Sequence, residues 1–320
     1  MKRIGVLTSG GDSPGMNAAI RAVVRGAIYN NMEIYGIERG YEGLIAGDIK
    51  ELSVSSVSDI IQRGGTMLRT ARSAHFMEPE GFKRAVDMLE NFEIEGLVVI
   101  GGDGSLQGGL DISRAGVTVI GLPGTIDNDL PYTDFTIGFD TSVNTVLQAI
   151  GNIRDTSSSH ERSTVIEVMG RSCGDIALYA GLCGGAETVL IPEVEPNINA
   201  ICRKLIQGKN RGKLHSIIIK AEGVAMTTQE LADIIHERTG LDTKVVVLAY
   251  IQRGGSPTGR DRMLASRMGY KAVELLRDDS TSRAVGIRGT EIVHYDLADA
   301  LRMKREYNSD INDLAEILSI

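Results

Sequence analysis

The segment GLPGTIDNDLPYTD, residues 121–134, brings three carboxylates together at the end of an apolar run. They belong to Asp127, Asp129 and Asp134. A carboxylate in a turn after a strand can accept a proton in catalysis, hold a divalent cation or form part of a polar turn. The residue types and their spacing alone leave these three interpretations open.

Two further glycine-rich turns follow apolar runs, and their composition suits phosphate binding. Gly10 and Gly11 precede a helical pattern, and the N-terminus of a helix is a favourable site for an anion. Gly102 and Gly104 flank Asp103, so backbone amides could approach a phosphate there while the carboxylate holds Mg²⁺. A single such turn is more often a plain strand–helix connection, but three turns together favour a shared function.

Apolar runs that alternate with helical patterns must position these turns. RIGVLTSGG is typical of a buried strand that enters a turn, and GMNAAIRAVVRGAIYN after it has helical spacing. Strands separated by helices imply parallel sheets covered on both faces. Because ligands bind beyond the carboxyl ends of such strands, the pattern predicts an α/β fold in which the turns converge.

The composition argues against several classes of protein. The 320 residues are 42% hydrophobic and 24% charged, which fits one large or two medium globular domains. A net charge of −8, no Trp and few aromatic residues argue against nucleic-acid binding. We find no long apolar run for a membrane, no signal-peptide core and no CxxC pair, so we expect a cytoplasmic protein with reduced thiols.

Eight motifs along the chain resemble those of the bacterial ATP-dependent 6-phosphofructokinases. In order, they are LTSGGDSPGMNAAIR, VIGGDGS, PGTIDND, GFDTSVNT, SSHER, EVMGR, AEG and QRGGSPT. The resemblance implies an α/β protein of two doubly wound Rossmann-like domains with mainly parallel sheets and an active site in the cleft between them. The implied ATP-binding domain comprises residues 1–138 and 252–302, and the implied fructose 6-phosphate-binding domain comprises residues 139–251 and 303–320.

The resemblance also implies the reaction, which is transfer of the ATP γ-phosphoryl group to the 1-hydroxyl of fructose 6-phosphate in glycolysis. Phosphoryl transfer needs Mg²⁺, cationic charge on the moving group and an acceptor for the hydroxyl proton. Asp127 matches the family's proton acceptor, and Thr125 matches a hydroxyl near the transferring group. Arg72 and Arg171 match the arginines that neutralise charge between the substrates.

Asp103 matches the family's Mg²⁺ site, and Asp129 is expected to support the metal through water. Asp134 matches no function. The residues that the resemblance implies for ATP binding are Gly11, Tyr41, Arg72, Ser73, Gly102, Asp103, Gly104, Ser105 and Gly108. Those implied for the sugar phosphate are Thr125, Ile126, Asp127, Arg162, Met169, Gly170, Arg171, Glu222, Lys244, Tyr250, Ile251, Gln252 and Arg253.

A second anion site is implied at a subunit interface, where family members bind ADP or phosphoenolpyruvate as allosteric effectors. From spacing alone, Arg21 and Arg25 share one helix face and would form a solvated basic stripe. The effector residues implied by the resemblance are Arg21, Ala22, Val23, Val24, Arg25, Asp59, Arg154, Gly185, Ala186, Glu187, Arg211, Lys213, Leu214 and His215. Because Arg162 and a companion reach into a neighbouring subunit in this family, a homotetramer is also implied.

Two glycines bear on the phosphoryl donor. The pyrophosphate-using branch of the superfamily resembles GGDDS and PKTIDND at these loops, whereas this chain has Gly104 and Gly124. An Asp at position 104 would occupy and repel the α-phosphate, and a Lys at position 124 would suit pyrophosphate. Glycine at both positions favours ATP.

Two positions depart from the bacterial pattern of the sugar 6-phosphate pocket. Lys244 stands where a second Arg is expected, and Tyr250 stands where His is expected. Lys keeps the charge but loses the bidentate fork, and Tyr carries no charge. These changes predict a raised KM for fructose 6-phosphate, unless neighbouring residues compensate. They also leave open a kinase of another phosphosugar, while the retained catalytic residues disfavour a non-catalytic nucleotide sensor.

Overall fold

The structure, a computed structural model, describes residues 1–319. The chain divides into two compact units. The first comprises Met1–Ile126, Leu130–Thr141 and Arg253–Arg305, and the second comprises Asp127–Asp129, Ser142–Gln252 and Glu306–Ile320. Ile320, the last residue of the second predicted domain, lies outside the described residues, and the predicted domain boundaries stay a prediction.

A seven-stranded sheet forms the centre of the first unit. Its strands are β1 (Arg3–Thr8), β2 (Glu33–Ile37), β3 (Ile49–Glu51), β4 (Gly96–Gly101), β5 (Thr118–Pro123), β10 (Arg283–Arg288) and β11 (Glu291–Asp296). They lie in the order β11-β10-β5-β4-β1-β2-β3. The five central strands are parallel, and the edge strands β3 and β11 are antiparallel to their neighbours.

Helices cover both faces of this sheet. They are α1 (Met16–Tyr29), α2 (Gly40–Ala46), α3 (Pro79–Asn91), α4 (Asp103–Arg114), α9 (Gly259–Arg277) and α10 (Leu297–Arg302), with short 3₁₀ helices at Ser55–Val57 and His75–Met77. Alternate residues of a strand point to opposite faces. Val98 and Ile100 of β4 therefore join one core with α1 and α9, while Leu97 and Val99 join a second core with α2, α3, α4 and α10.

The second unit contains a four-stranded parallel sheet. Its strands β6 (Ser163–Val168), β7 (Thr188–Leu190), β8 (Ser216–Ala221) and β9 (Thr243–Val247) lie in the order β7-β8-β6-β9. The helices α5 (Phe139–His160), α6 (Asp175–Gly184), α7 (Ile198–Asn210), α8 (Thr228–Thr239) and α11 (Ser309–Leu318) accompany these strands along the chain, and a 3₁₀ helix spans Ala249–Arg253. The predicted α/β class with mainly parallel sheets is confirmed.

Some features are absent from the part of the chain that the structure describes. Within residues 1–319, no helix combines the length and apolar character that crossing a membrane requires. The same residues contain no group of three or more His, Cys, Asp or Glu side chains placed to hold a metal ion. Within the described residues, Cys173, Cys183 and Cys202 form no disulfide bond.

Candidate active site

The three turns that the sequence singled out lie side by side at the carboxyl edge of the large sheet. They follow β1, β4 and β5, which are neighbouring parallel strands. The backbone N–H of Ser9 donates to Ile100 O at 3.1 Å, and that of Gly124 donates to Gly101 O at 3.0 Å. Sheet order therefore brings together turns that are far apart in the sequence.

Close packing between the first two turns explains some of their glycines. Gly10 has a φ of +83°, and a Cβ there would lie 2.9 Å from Ser105 Oγ. A Cβ on Gly101 would lie 2.6 Å from Ser105 Cβ. Ser105 is buried in the first turn of α4, so these glycines let the β1 turn pack against the N-terminus of α4, where amides are available to an anion.

Asp103 and Gly104 form the exposed start of α4. A Cβ on Gly104 would have no atom within 4 Å, so packing does not require glycine there. At Gly124 the opposite holds, because a Cβ would lie 2.9 Å from Ile100 Cγ2 and 3.1 Å from Met16 Cε. Gly104 is therefore the more informative of the two positions about the donor, since Gly124 also serves local packing.

Tyr41, which the resemblance implies for ATP binding, is a buried residue. Its ring stacks on Phe76 with centroids 4.2 Å apart, and its hydroxyl donates to Ser105 O at 2.5 Å. A Cβ on Gly108 would lie 2.9 Å from the Tyr41 ring. Burial raises the pKa of the Tyr41 phenol well above its usual value. Tyr41 therefore packs against α4 and stabilises its position. Its stacking partner Phe76 was not identified from the sequence.

Three other residues predicted to bind substrates lie near the first turn or on the loop before α3. Arg72 is exposed, and the Ser73 hydroxyl donates to Glu42 Oε2 at 2.6 Å. Arg253, predicted for the sugar phosphate, packs its guanidinium directly against Gly11. Its Nε is buried and has no hydrogen-bond partner among residues 1–319. A Cβ at position 11 would meet the end of the Arg253 side chain, so Arg253 would have to move to admit any residue other than glycine.

Asp127, the predicted proton acceptor, is buried beside an exposed arginine. Its side chain is 8% exposed, whereas that of Arg171 is 61% exposed. Their closest approach, from Arg171 Nε to Asp127 Oδ2, is 3.7 Å. Of the preceding residues, Ile126 is fully buried, and Thr125 accepts a hydrogen bond from Thr136 Oγ1 at its backbone oxygen.

The segment Asp127–Asp129 is fixed by residues that sequence reasoning missed. Asn128 has a φ of +53°, in the left-handed region. Its Nδ2 donates to Asp175 Oδ2 at 2.7 Å, at the first residue of α6, and the Cys173 thiol lies 3.9 Å from its backbone oxygen. Asn tolerates this backbone conformation better than most residues, which is the signal that could have identified it. Asn128 therefore orients the acids on either side of it.

A tight turn after β6 presents Arg171. Gly170 has a φ of +141° and Arg171 a φ of +52°. The Arg171 N–H donates to Glu222 Oε1 at 3.0 Å, and the Met169 N–H donates to Gln252 Oε1 at 3.2 Å. The structure therefore brings together the predicted sugar-phosphate residues of three segments, although Gln252 itself is fully buried.

Arg162 and Lys244 converge on one acidic residue that the sequence did not single out. Arg162 Nε donates to Asp242 Oδ2 at 2.7 Å, and Lys244 Nζ lies 2.9 Å from Asp242 Oδ1. Hydrogen bonding from Lys244, followed by that from Arg162, lowers the pKa of the Asp242 carboxyl. By contrast, Tyr250 and Ile251 are 76% and 57% exposed.

Part of the predicted effector set is assembled in the second unit. Lys213 pairs with the buried Glu187, and Arg154 donates to the backbone oxygens of Gly184 and Gly185. His215 Nδ1 lies 2.8 Å from Ser158 Oγ. Burial lowers the pKa of the His215 imidazole, and Glu187 partly opposes that shift. Ala186 is buried, whereas Arg211 and Leu214 are exposed.

The effector residues predicted in the first unit differ in exposure. Arg21, Ala22 and Arg25 are partly exposed on α1, while Val23 and Val24 are fully buried in the core. The valine side chains therefore offer nothing to a ligand at this surface. Arg25 Nε is buried without a hydrogen-bond partner among residues 1–319, and the exposed Asp59 has a φ of +54°.

Asp134 has a structural explanation. Its Oδ1 lies 2.6 Å from Arg288 Nη1, and its Oδ2 accepts from the Gly289 N–H at 2.7 Å. These contacts fix the turn between β10 and β11. Of the three acids that opened the sequence analysis, Asp134 therefore stabilises a hairpin, and Asp127 and Asp129 remain the candidates for chemistry.

Comparison with known proteins points to the same family that the motifs resemble. Residues 3–276 match the family described as Phosphofructokinase. The chain is 59% identical over 320 residues to an ATP-dependent 6-phosphofructokinase of Alkaliphilus metalliredigens, and the match covers 100% of both chains. It is similar to the solved structure of phosphofructokinase from Saccharomyces cerevisiae, with 34% identity and a TM-score of 0.91. That match covers 100% of this chain and 48% of the yeast chain, so the chain spans about half of the yeast protein's length.

A pyrophosphate-dependent phosphofructokinase from Marinobacter aquaeolei also has a similar structure. The identity is 21% and the TM-score is 0.87, with 99% of this chain and 91% of that chain covered. At this identity the likeness concerns the fold alone. The phosphoryl donor must therefore be argued from residues in the turns.

Proposed function

This chain belongs to the phosphofructokinase family, and we propose that it is the kinase that phosphorylates fructose 6-phosphate at its 1-hydroxyl with ATP, in glycolysis. The observation that carries the proposal is the buried Asp127 carboxylate 3.7 Å from the exposed guanidinium of Arg171. A proton acceptor beside an exposed cation suits phosphoryl transfer to a hydroxyl. As an enzyme of glycolysis it is expected to act in the cytoplasm.

Asp127 accepts the proton of the sugar hydroxyl as that oxygen attacks phosphorus. A carboxylate is a weak base, but it takes the proton as the hydroxyl becomes acidic during transfer. Arg171 and Arg72 neutralise charge on the phosphoryl group in transit. The contact of the Arg171 N–H with Glu222 supports this role because it fixes the backbone from which the guanidinium extends. Thr125 contributes a hydroxyl near the moving group.

Mg²⁺ is expected at Asp103, with Asp129 in support through water. One carboxylate suffices, because Mg²⁺ keeps several waters and takes its other ligands from phosphates. The exposed position of Asp103 in the first turn of α4 suits such a site. When bound, the ion would shield the negative charge of the nucleotide phosphates.

ATP is assigned to the turns of the first unit. The open space at Gly104 leaves room for a phosphate beside the amides of α4, and an Asp side chain there would remove both the room and the attraction. This argument favours ATP over pyrophosphate. The 59% identical relative is named for ATP dependence as well.

Fructose 6-phosphate is assigned to Glu222 and the turn from Met169 to Arg171, with its 6-phosphate on Arg162 and Lys244. In this family the cationic pair serves a neighbouring subunit, so we propose a homotetramer. An exposed apolar edge supports assembly. The edge strand β9 leaves Val247 54% exposed, and the 3₁₀ helix after it exposes Tyr250 and Ile251. An exposed sheet edge can pair with another chain, and an apolar patch beside it is typical of a protein–protein contact.

Regulation by ADP and phosphoenolpyruvate is a further part of the proposal. The cluster of Arg154, Lys213 and His215 around Glu187 supports it, because Arg154 and Lys213 offer cations for an anion and Glu187 offers a carboxylate for a metal carried by ADP. Coupling requires that the effector bind two states unequally. Initial rates at low sugar phosphate, with each effector added, measure that coupling.

A second candidate is a kinase of another phosphosugar. Lys244 and the exposed Tyr250 favour it, since the phosphate pocket lacks the second Arg and the His expected there. Fructose 6-phosphate remains the first choice because the remaining sugar-phosphate residues are retained.

Steady-state rates with Mg²⁺ test both candidates. ATP and pyrophosphate are compared as donors, each with fructose 6-phosphate and with other hexose and pentose monophosphates. We expect the highest kcat/KM for ATP with fructose 6-phosphate. Comparable turnover with pyrophosphate would overturn the donor assignment, and a higher kcat/KM for another sugar phosphate would favour the second candidate.

A further inference from the structure

Asp242 lies between the two cations assigned to the 6-phosphate, and it is the feature from which the inference starts. Its two oxygens are divided between them, with Oδ2 on Arg162 Nε at 2.7 Å and Oδ1 on Lys244 Nζ at 2.9 Å. The side chains of Arg162, Asp242 and Lys244 are 37%, 48% and 51% exposed. The three groups together carry a net charge of about +1, so an anion is still attracted to them.

Most of the N–H donors of the two cations remain available. Arg162 has five N–H donors, and Asp242 takes the one at Nε, on the side edge of the guanidinium. Within residues 1–319, no other side chain pairs with the Arg162 Nη groups or with Lys244 Nζ. The outer edge of Arg162 and two N–H of Lys244 therefore stay free for a phosphate, whose oxygens match the guanidinium fork.

The backbone fixes Asp242 where it can hold both partners. Arg162 precedes β6 and Asp242 precedes β9, and these parallel strands pair so that Ser163 lies opposite Thr243. The Ser163 N–H also donates to Asp242 O at 3.0 Å. Asp242 and Lys244 are two residues apart along an extended segment, so their side chains share one face. A short carboxylate thus stands between two long, flexible cations.

We propose that Asp242 is a positioning residue of the sugar-phosphate site. It orders the side chains of Arg162 and Lys244 before the 6-phosphate arrives, so that binding does not have to order them. The inference rests on the proposed function, because it takes a phosphate to be the ligand of this pair. The proposal also assigns a role to Lys244, because its ammonium group has three N–H donors and can bind the Asp242 carboxylate and a phosphate at once.

The Asp242 carboxylate also repels a phosphate. Asp242 therefore strengthens binding only if the gain from ordering the two cations is larger than this repulsion. Repulsion between exposed charges is screened by solvent and salt. Arg and Lys, by contrast, lose more rotamer freedom on ordering than most side chains. We therefore infer that the ordering effect exceeds the repulsion, and that Asp242 strengthens binding.

Kinetics of Asp242 variants test the proposal on the whole protein. Asp242→Ala is expected to raise the KM for fructose 6-phosphate about three- to tenfold, with kcat nearly unchanged. Asp242→Asn, which keeps the shape and one acceptor, should have an intermediate KM, and Asp242→Glu should restore much of the binding. Glu33→Ala is the matched control, because Glu33 Oε2 also lies 2.7 Å from an arginine Nε, that of Arg3. It should leave KM unchanged.

A coupling measurement separates positioning from a merely structural role. If Asp242 acts through the cations, Asp242→Ala should change KM much less in a Lys244→Ala background than in the wild type. A KM that is unchanged or lower in both Asp242→Ala and Asp242→Asn would overturn the proposal, as would equal effects in both backgrounds. A wild type without sugar-phosphate kinase activity would instead refute the proposed function.

Discussion

The carboxylate of Asp127 and the guanidinium of Arg171 lie 3.7 Å apart, yet Asp127 is buried and Arg171 is largely exposed. That separation exceeds a hydrogen bond, so the two groups attract without being locked together. The Arg171 backbone is nevertheless fixed by its N–H contact with Glu222. The pair combines a carboxylate in a defined position with a cation that can move onto a phosphate.

Arg171→Ala is expected to lower kcat about 10²-fold, because it removes cationic stabilisation of the phosphoryl group in transit. Arg171→Lys should recover only part of the loss, since Lys lacks the planar fork. Steady-state kinetics measure both. Arg277→Ala is the control, because Arg277 is an exposed arginine paired with its neighbour Asp278. A kcat for Arg171→Ala within twofold of the wild type would contradict the assignment.

Gly104→Asp is expected to raise the KM for ATP tenfold or more, because its carboxylate would enter the open space beside the α4 amides and repel the phosphates. Gly259→Asp is a matched control. It introduces the same charge in the first turn of α9, where a Cβ also has no atom within 4 Å. The donor assignment to this turn fails if both variants keep wild-type kinetics with ATP.

Lys244→Arg combined with Tyr250→His is expected to lower the KM for fructose 6-phosphate about fivefold, because a bidentate guanidinium and an imidazole N–H donor are restored. Lys83→Arg, at an exposed position of α3, controls for the general effect of arginine. An unchanged or higher KM in the double variant would indicate that Asp242 and its neighbours already compensate.

The effector cluster is expected to respond to pH through His215. Burial holds the pKa of His215 below its ordinary value of about 6.5, so its neutral form is favoured. This contribution to stability is complete above that value and is lost as the pH falls through the folded pKa. A bound anion favours the protonated form, so lowering the pH to 6 should strengthen effector binding by the wild type relative to His215→Asn.

Calorimetric titration with ADP and with phosphoenolpyruvate at pH 8 and pH 6 measures the affinity of the wild type and of His215→Asn for each effector. We expect similar affinities of the two proteins at pH 8 and about two- to threefold tighter binding by the wild type at pH 6. His160→Asn, which changes an exposed histidine at the end of α5, should behave as the wild type. An equal pH response in His215→Asn would exclude His215 from the effector site.

Much of the fold could be predicted because its signals are local. The glycine turns after β1, β4 and β5 are visible as sequence patterns, and the alternation of strands and helices implies parallel order. Adjacency of the turns follows from that order. The motifs identified the catalytic candidates because each lies within a short segment, such as TIDND, that resembles a motif of the family, and no long-range contact was needed.

The missed residues depend on contacts between distant segments. Asp242 carries no motif, and its pairing with Arg162, 80 residues earlier, follows from the register of β6 and β9. Phe76, in the 3₁₀ helix His75–Met77, stacks on Tyr41 because the chain folds back against α2. The packing demand at Gly124 likewise comes from Ile100 and Met16 on other elements. Single-sequence patterns contain no information on such pairs.

The most direct test of the account is the kcat of Asp127→Ser with ATP, Mg²⁺ and fructose 6-phosphate. Asp134→Asn serves as the control, because Asp134 contacts the β10–β11 turn instead. We predict a kcat lowered about 10²- to 10⁴-fold in Asp127→Ser with little change in KM, and near wild-type rates in Asp134→Asn. An Asp127→Ser protein with the kcat of the wild type would contradict the central claim that Asp127 accepts the proton during phosphoryl transfer.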